Sequence, residues 1–364
     1  MIHYGLKGVV AAETSISHVD GDKGQLVYRG YNIGFITKRY SFEETAYLLW
    51  YGKFPNERQL IDLKKKFILY RELPSYIIEI IKKLPIEMDL MSVLRTVISA
   101  VGTESFGWKP TIEQAIQLTA MIPTIIAYRK RILEGKDIIY PSQELDHVPN
   151  YLYMLSGKLP NPAHVNALKT YMILTMEHGM NASTFSARVT ASTESDLVSA
   201  ITSAIGTMKG PLHGGAPSGV IRLLDEIVKR GNPEEVIREK LKRGERLMGF
   251  GHRVYKTTDP RSIALKENLL EFTGEDEWLD LAIRVEELGV KILDEVKPGR
   301  KLYTNVEFYA AAIMKAIQLE SELFTPTFTA SRIVGWSAHV LEQAENNVIF
   351  RPQSKYIGSF HSKK

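Results

Sequence analysis

Three of the nine histidines sit beside glycine. His178 lies in Glu177-His178-Gly179, His213 in Pro211-Leu212-His213-Gly214-Gly215, and His252 in Gly249-Phe250-Gly251-His252-Arg253. Glycine lets backbone approach a ligand closely, and imidazole moves protons near neutral pH. The three are too far apart in the chain to share a helix turn, and cysteine is absent, so no local metal motif exists. His3, His18, His147, His164, His339 and His361 read as core or surface groups. Three arginines read as loop residues: Arg261 after Thr258-Asp259-Pro260, Arg332 after Thr329-Ala330-Ser331, and Arg351 in Phe350-Arg351-Pro352. A guanidinium grips carboxylate in a planar fork, so together they point to a di- or tricarboxylate; singly, each suits a surface ion pair. Glu307, in Asn305-Val306-Glu307-Phe308-Tyr309, falls in the first turn of an apolar helix. It is either an acid complementing the helix dipole or a general base tuned by apolar surroundings.

Other chemistries lack their residues. Gly249-Phe250-Gly251 has no third glycine for a dinucleotide fingerprint, and the His213 loop has no Gly-Lys-Ser/Thr ending for a nucleotide P-loop. No Gly-x-Ser-x-Gly elbow occurs. The 364 residues are 44% hydrophobic and 24% charged, the profile of a globular chain of about two domains. Lys and Arg number 46 against 42 Asp and Glu, interspersed, which gives no nucleic-acid stripe but suits an anionic small molecule. The lack of cysteine fits a reducing cytosol. No apolar run reaches membrane-spanning length, and Met1 to Lys7 lacks a signal-peptide core, so the expected location is cytoplasmic.

These groups need a frame. Short apolar runs at Val9 to Ala12, Ile16 and Leu26 to Tyr28, broken by Asp20-Gly21-Asp22-Lys23-Gly24, predict a small N-terminal β-hairpin. After Tyr40 the period is helical. Ser41 with Glu44 has capping-box spacing, and Asn56 with Gln59 repeats it. Helical spacing continues over Asp89 to Val101, Thr111 to Leu133, Pro162 to His178, Asp196 to Met208, Val220 to Arg230 and Trp278 to Val296. The expected fold is all-α. Its texture suggests a smaller unit at 218–325 set into a larger one made of 1–217 and 326–364.

In combination these segments resemble the citrate synthase family, of the short prokaryotic or archaeal type, over nearly the whole chain. The resemblance rests on Glu177-His178-Gly179, Gly210-Pro211-Leu212-His213-Gly214-Gly215-Ala216, Gly251-His252-Arg253-Val254-Tyr255-Lys256 with Asp259-Pro260-Arg261, and Asn305-Val306-Glu307-Phe308-Tyr309, in that order. Thr14 to Asp20, Leu26 to Tyr31, Met88-Asp89 and Leu94-Arg95-Thr96 are similar to the family's opening stretches. It implies a two-domain helical homodimer that joins the acetyl group of acetyl-CoA to oxaloacetate and hydrolyses the thioester, with a coenzyme A thioester as co-substrate and no metal or redox cofactor. By resemblance Glu307 is the base, His213 the donor to the enolate oxygen, and His252 the group that polarises the ketone. A helix beginning near Ser218 disfavours imidazolium at His213, which suits a neutral donor. His178, Arg261 and Arg332 match oxaloacetate ligands, and Arg351 a ligand given to the partner subunit. Leu247, Gly249, Phe250, Gly251, Val254, Lys256, Asn305 and Lys301 match the coenzyme A region. The family's familiar pattern has Asp where Glu307 stands; unchanged flanking residues favour a compensating backbone position. Competing readings are a 2-methylcitrate synthase using propionyl-CoA and a non-catalytic relative that binds coenzyme A or a dicarboxylate.

Overall fold

Asp20 to Gly24 makes the tight connection that its composition predicts. Strand β1 (Ser17–Asp20) pairs antiparallel with β2 (Gln25–Tyr28), with Asp20 opposite Gln25. Asp20 Oδ1 accepts from the backbone N–H groups of Asp22 and Lys23, and Gly24 takes a positive φ of 62°. A third strand, β3 (Tyr31–Asn32), extends the expected hairpin to a sheet in the order β1-β2-β3. The Val9 to Ala12 run, read as strand-like, forms none. Val9 and Ala11 instead line a cavity described below. The structure is a computed structural model and describes residues 2–214, 217–252, 255–270 and 277–360.

Helices make up most of the rest. In chain order they are α1 (Ile33–Arg39), α2 (Phe42–Tyr51), α3 (Glu57–Tyr70), α4 (Ser75–Lys83), α5 (Leu90–Val101), α6 (Ile112–Leu133), α7 (His147–Ser156) and α8 (Pro162–Thr175). They continue as α9 (Ala182–Ser192), α10 (Leu197–Met208), α11 (Pro217–Arg230), α12 (Pro233–Lys242), α13 (Pro260–Leu270), α14 (Glu277–Val296), α15 (Val306–Ala316) and α16 (Phe324–Glu345). Both expected capping boxes form: Ser41 with Glu44 and Asn56 with Gln59 exchange side-chain and backbone bonds. Helix α1 begins ahead of the expected helical region because Asn32 caps it, accepting from the Gly34 N–H.

Helix α16 packs on α2, α5, α6, α8, α9 and α10. Its small residues Ala330, Ser331, Gly335 and Ser337 are all in the interior and let neighbours approach. Arg332 therefore stands in the middle of a buried helix, not in a loop, and Arg261 is the second residue of α13. The causes differ. Around Arg332, short polar residues that read as loop serve as spacers in close helix packing; before Arg261, Asp259-Pro260 opens a helix and does not extend a loop. Helices α11 to α15 pack among themselves, while α13 and α15 also contact α8.

Candidate active site

The His178 turn begins where α8 stops, at Thr175, three residues short of the expected end. A helix leaves its last four carbonyls without partners, and here tertiary side chains take them. Ser331 Oγ donates to Met172 O, Tyr28 Oη lies within hydrogen-bond reach of Ile173 O and Leu174 O, and Arg332 Nε donates to Thr175 O at 2.6 Å. Tyr28 also bonds both backbone groups of Glu177, and Gly179 closes the turn at a φ of 63°. His178 is thereby aimed across at Tyr255, with Nε2 3.0 Å from its hydroxyl.

Tyr255 precedes the second part of the site. Its backbone N–H donates to His252 Nδ1 at 3.0 Å, which places the imidazole proton on Nε2. That nitrogen lies 3.2 Å from Arg261 Nη2, so two nitrogen groups stand side by side at this point of the site. Arg261 is fixed by Asp259, which is 1% exposed. Oδ1 accepts from Arg261 N and Nε, both at 3.0 Å, and Oδ2 accepts from Arg261 Nη2 at 2.8 Å. Oδ2 also accepts from Val306 N at 3.1 Å, at the start of α15. One carboxylate thus joins the guanidinium to the helix that presents Glu307. Asn305 caps that helix, its Oδ1 accepting from the Glu307 N–H.

His213 forms the third part. Its Nε2 lies 2.7 Å from Ser183 Oγ, near the start of α9. Trp336 Nε1 donates to the same oxygen, and Asn181 Oδ1 lies 2.8 Å away as a competing acceptor. A hydroxyl has one proton. Turned toward His213 Nε2, it leaves the imidazole proton on Nδ1, available for donation. Ser183→Ala is expected to lower kcat about tenfold with the KM for the keto diacid unchanged, since it frees the His213 tautomer without touching that ligand's expected contacts. It also orphans the buried Trp336 N–H, at about 1–3 kcal/mol of stability in urea denaturation.

All three histidines, Glu307, Asn305, Arg261 and Arg332 line a single cavity of about 680 Å³. Leu6, Val9, Met180, Phe185 and Phe328 add an apolar wall. Burial, then the charge of Arg332, holds His213 down to about 4. Desolvation and the Arg332 charge thus favour the neutral imidazole, beside the helix start expected from sequence. His252 is likewise held at about 4 by burial and Arg261, against Asp259. His178 lies well below its ordinary value through burial and the cations Arg261 and Arg332. Glu307 is pushed up by burial, which Arg261 opposes and Asp259 reinforces. The site therefore holds neutral imidazoles beside a carboxylate of raised basicity, which is what proton abstraction from a weak carbon acid requires.

The remaining expected residues fall elsewhere. Gly249 O accepts from Asn305 N, Gly251 N donates to Tyr303 O at 2.7 Å, and Asn305 Nδ2 donates to Gly251 O. Phe250 packs on Phe308, with ring centroids 5.3 Å apart, and Leu247 is buried. This stretch therefore braces the segment that launches Glu307. Lys256 pairs with Asp22 in the β1–β2 connection, Lys301 is exposed, and Val254 lies outside the described residues. Arg351 is exposed beyond α16 and outside its own chain's cavity. Sequence reasoning did not single out Ser183 or Tyr255, and named Asp259 only as a neighbour of Arg261. An Asp followed by Pro, the mark of a helix start, was the available signal for Asp259.

A family model described as citrate synthase, C-terminal domain, matches residues 5–353. The chain belongs to the citrate synthase family. Citrate synthase 2 of Bacillus subtilis (strain 168) is 42% identical over 363 residues, covering 97% of this chain and 95% of that one. The 2-methylcitrate synthase of Shewanella oneidensis is 37% identical over 362 residues, covering 97% and 94%. Among solved structures, the ternary complex of carboxymethyl coenzyme A and oxaloacetate with the Thermoplasma acidophilum citrate synthase aligns with a TM-score of 0.88 at 30% identity, covering 100% of this chain and 98% of that one. The all-α fold of the citrate synthases is thus the fold of this chain.

Proposed function

We propose that the protein condenses acetyl-CoA with oxaloacetate and hydrolyses the product thioester to citrate and CoA. The observation that carries this reading is the shared cavity, which sets a half-buried carboxylate among three imidazoles and two guanidiniums. Glu307 removes a proton from the methyl carbon beside the thioester carbonyl, and His213 donates a hydrogen bond to the enolate oxygen. The carbanion attacks the ketone carbon of oxaloacetate. The ketone oxygen takes the position between His252 Nε2 and Arg261 Nη2, becomes an alkoxide and is protonated there. Arg261 and Arg332 balance the diacid's charge, and the neutral His178 lies beside them as a polar contact. Water then attacks the thioester carbonyl and CoA leaves.

In this reading residues 218–325 form a smaller domain that brings His252, Arg261 and Glu307 to a larger one, 1–217 with 326–364, that carries His178, His213 and Arg332. Coenzyme A lies along 247–256 with Asn305 and Lys301. The working unit is a homodimer in which Arg351 reaches the other copy's cavity, a role that suits its exposed position beyond α16. The test is release of free thiol with stoichiometric citrate from acetyl-CoA and oxaloacetate. Tight binding of both without thiol release overturns catalysis in favour of a binding protein.

Propionyl-CoA is proposed as a second acyl donor, because one relative of comparable identity is a 2-methylcitrate synthase. One methylene in an apolar pocket is worth about 1–3 kcal/mol. The expected kcat/KM preference between the two thioesters is therefore at most about 200-fold. Parallel kinetics check it, and a larger ratio excludes dual use.

A further inference from the structure

Glu177 precedes His178 and is fully buried. Its Oε1 accepts from Ser17 Oγ at 2.9 Å and from the Gly179 N–H at 2.5 Å, so it closes the turn that carries His178. The same oxygen lies 3.1 Å from His339 Nε2, off the line of its N–H, so that contact is electrostatic more than a linear hydrogen bond. Among the described residues Oε2 has no hydrogen-bond partner; it rests against Gly335, where any Cβ would collide with it and with the Met176 carbonyl.

His339, dismissed from sequence as an ordinary histidine, is also fully buried. Its Nδ1 accepts from Arg188 Nε at 3.0 Å, which puts the imidazole proton on Nε2, toward Glu177. Arg188 continues outward, donating to Gln343 Oε1 at 3.0 Å and pairing with Glu342. Glu342 in turn accepts from the backbone and hydroxyl of Ser15. A polar row thus runs from the surface through α9 and α16 to the peptide beside His178, and no step of the proposed reaction uses it.

We infer that the buried Glu177–His339 pair is a positioning device that holds the His178 turn for the keto diacid. The inference rests on the reading of His178 as a ligand for that substrate. A buried carboxylate with one oxygen unpaired stays in place only if its other contacts are strong. The oriented His339 N–H, backed by the Arg188 cation, adds such a contact on the side away from the cavity. Without it Glu177 loses its hold on the Gly179 N–H, the turn relaxes, and His178 leaves its 3.0 Å contact with Tyr255. The loss falls on diacid binding, because Glu307 and His213 are held by other elements.

His339→Leu and His339→Gln test it. A glutamine amide offers an acceptor to Arg188 and a donor to Glu177, whereas leucine offers neither. For His339→Leu, the oxaloacetate Kd by calorimetric titration, and its KM, are expected to rise about tenfold, about what one close polar contact to a buried charge is worth. The KM for acetyl-CoA and kcat at saturating oxaloacetate stay within about twofold of the parent, and His339→Gln recovers most of the binding. If His339→Leu does not fold, Ser17→Ala removes a donor to the same Glu177 oxygen at a half-buried strand residue. A Kd raised about threefold then supports the device, and an unchanged Kd overturns it. No oxaloacetate binding by the parent overturns the functional reading and the inference with it. Normal parental binding with an unchanged Kd in His339→Leu, a general loss of kcat, or no recovery in His339→Gln overturns the inference alone.

Discussion

Glu307→Gln is expected to lower kcat by about a thousandfold, inside the range for loss of a general base, and to leave oxaloacetate affinity within about twofold. The substitution keeps side-chain length and the Asn305 cap, which is made to the backbone N–H and not to the carboxyl. It removes only the ability to take a proton. In the proposed function the diacid's charge is met by Arg261 and Arg332, with the neutral His178 beside them; the substitution alters none of the three, so calorimetry separates binding from chemistry. The pH profile adds an independent check. Abstraction needs the carboxylate, so kcat/KM falls as pH drops through the Glu307 pKa, which burial raises above the ordinary 4.5. His213 and His252, at about 4, are already neutral above that limb and add no second one there. The parent is expected to show one acidic limb set by Glu307, and the residual rate of Glu307→Gln to lack it. Kinetics equal to the parent's, or an unmoved limb, would remove Glu307 from the base's role.

The parts of the molecule legible in the sequence are those fixed by local rules. Ser41 with Glu44 and Asn56 with Gln59 act within one helix turn, so spacing alone finds them. The glycine-flanked histidines and the Asn305-Val306-Glu307 start of α15 are local in the same sense. What sequence missed depends on partners far along the chain. Ser183 matters because Trp336 and His213 meet at its hydroxyl, and no periodicity encodes that. His339 looks ordinary until α16 is packed against Glu177. Thr329-Ala330-Ser331 is polar and small and so reads as a loop before Arg332, whereas those properties let α16 pass through the centre of the fold. Burial is a tertiary quantity, and a hydroxyl whose bond is made within its own helix, as Thr329 does to Thr325 O, can be buried cheaply.

Asp259→Ala is expected to destabilise the chain by about 3–5 kcal/mol, the consequence of leaving one half of a buried ion pair. The carboxylate accepts four bonds, three from Arg261 and one from Val306, so its loss acts at two places. Arg261, 4% exposed, keeps its charge with Arg332 nearby and no paired carboxylate, only the Glu307 charge across the cavity. The first turn of α15 loses the acceptor for an orphan N–H, so Glu307 loses its register along with Arg261. Stability and kcat/KM should therefore fall together, unlike in Glu307→Gln, where only turnover falls. Asp259→Asn separates charge from geometry. Its amide oxygen can still accept from Val306 while the neutralising charge is gone, so its stability should lie between parent and Asp259→Ala in urea denaturation. Burial raises the Asp259 pKa, but Arg261 and then His252 outweigh it and hold the group below 3.8. The stabilisation is thus fully present above that ordinary value and lost as pH falls through the depressed one. The stability gap between parent and Asp259→Ala should stay constant near neutrality and close only in strong acid. A gap that closes near neutral pH, or an Asp259→Asn stability equal to the parent's, would mean that Asp259 acts through packing and not through its charge.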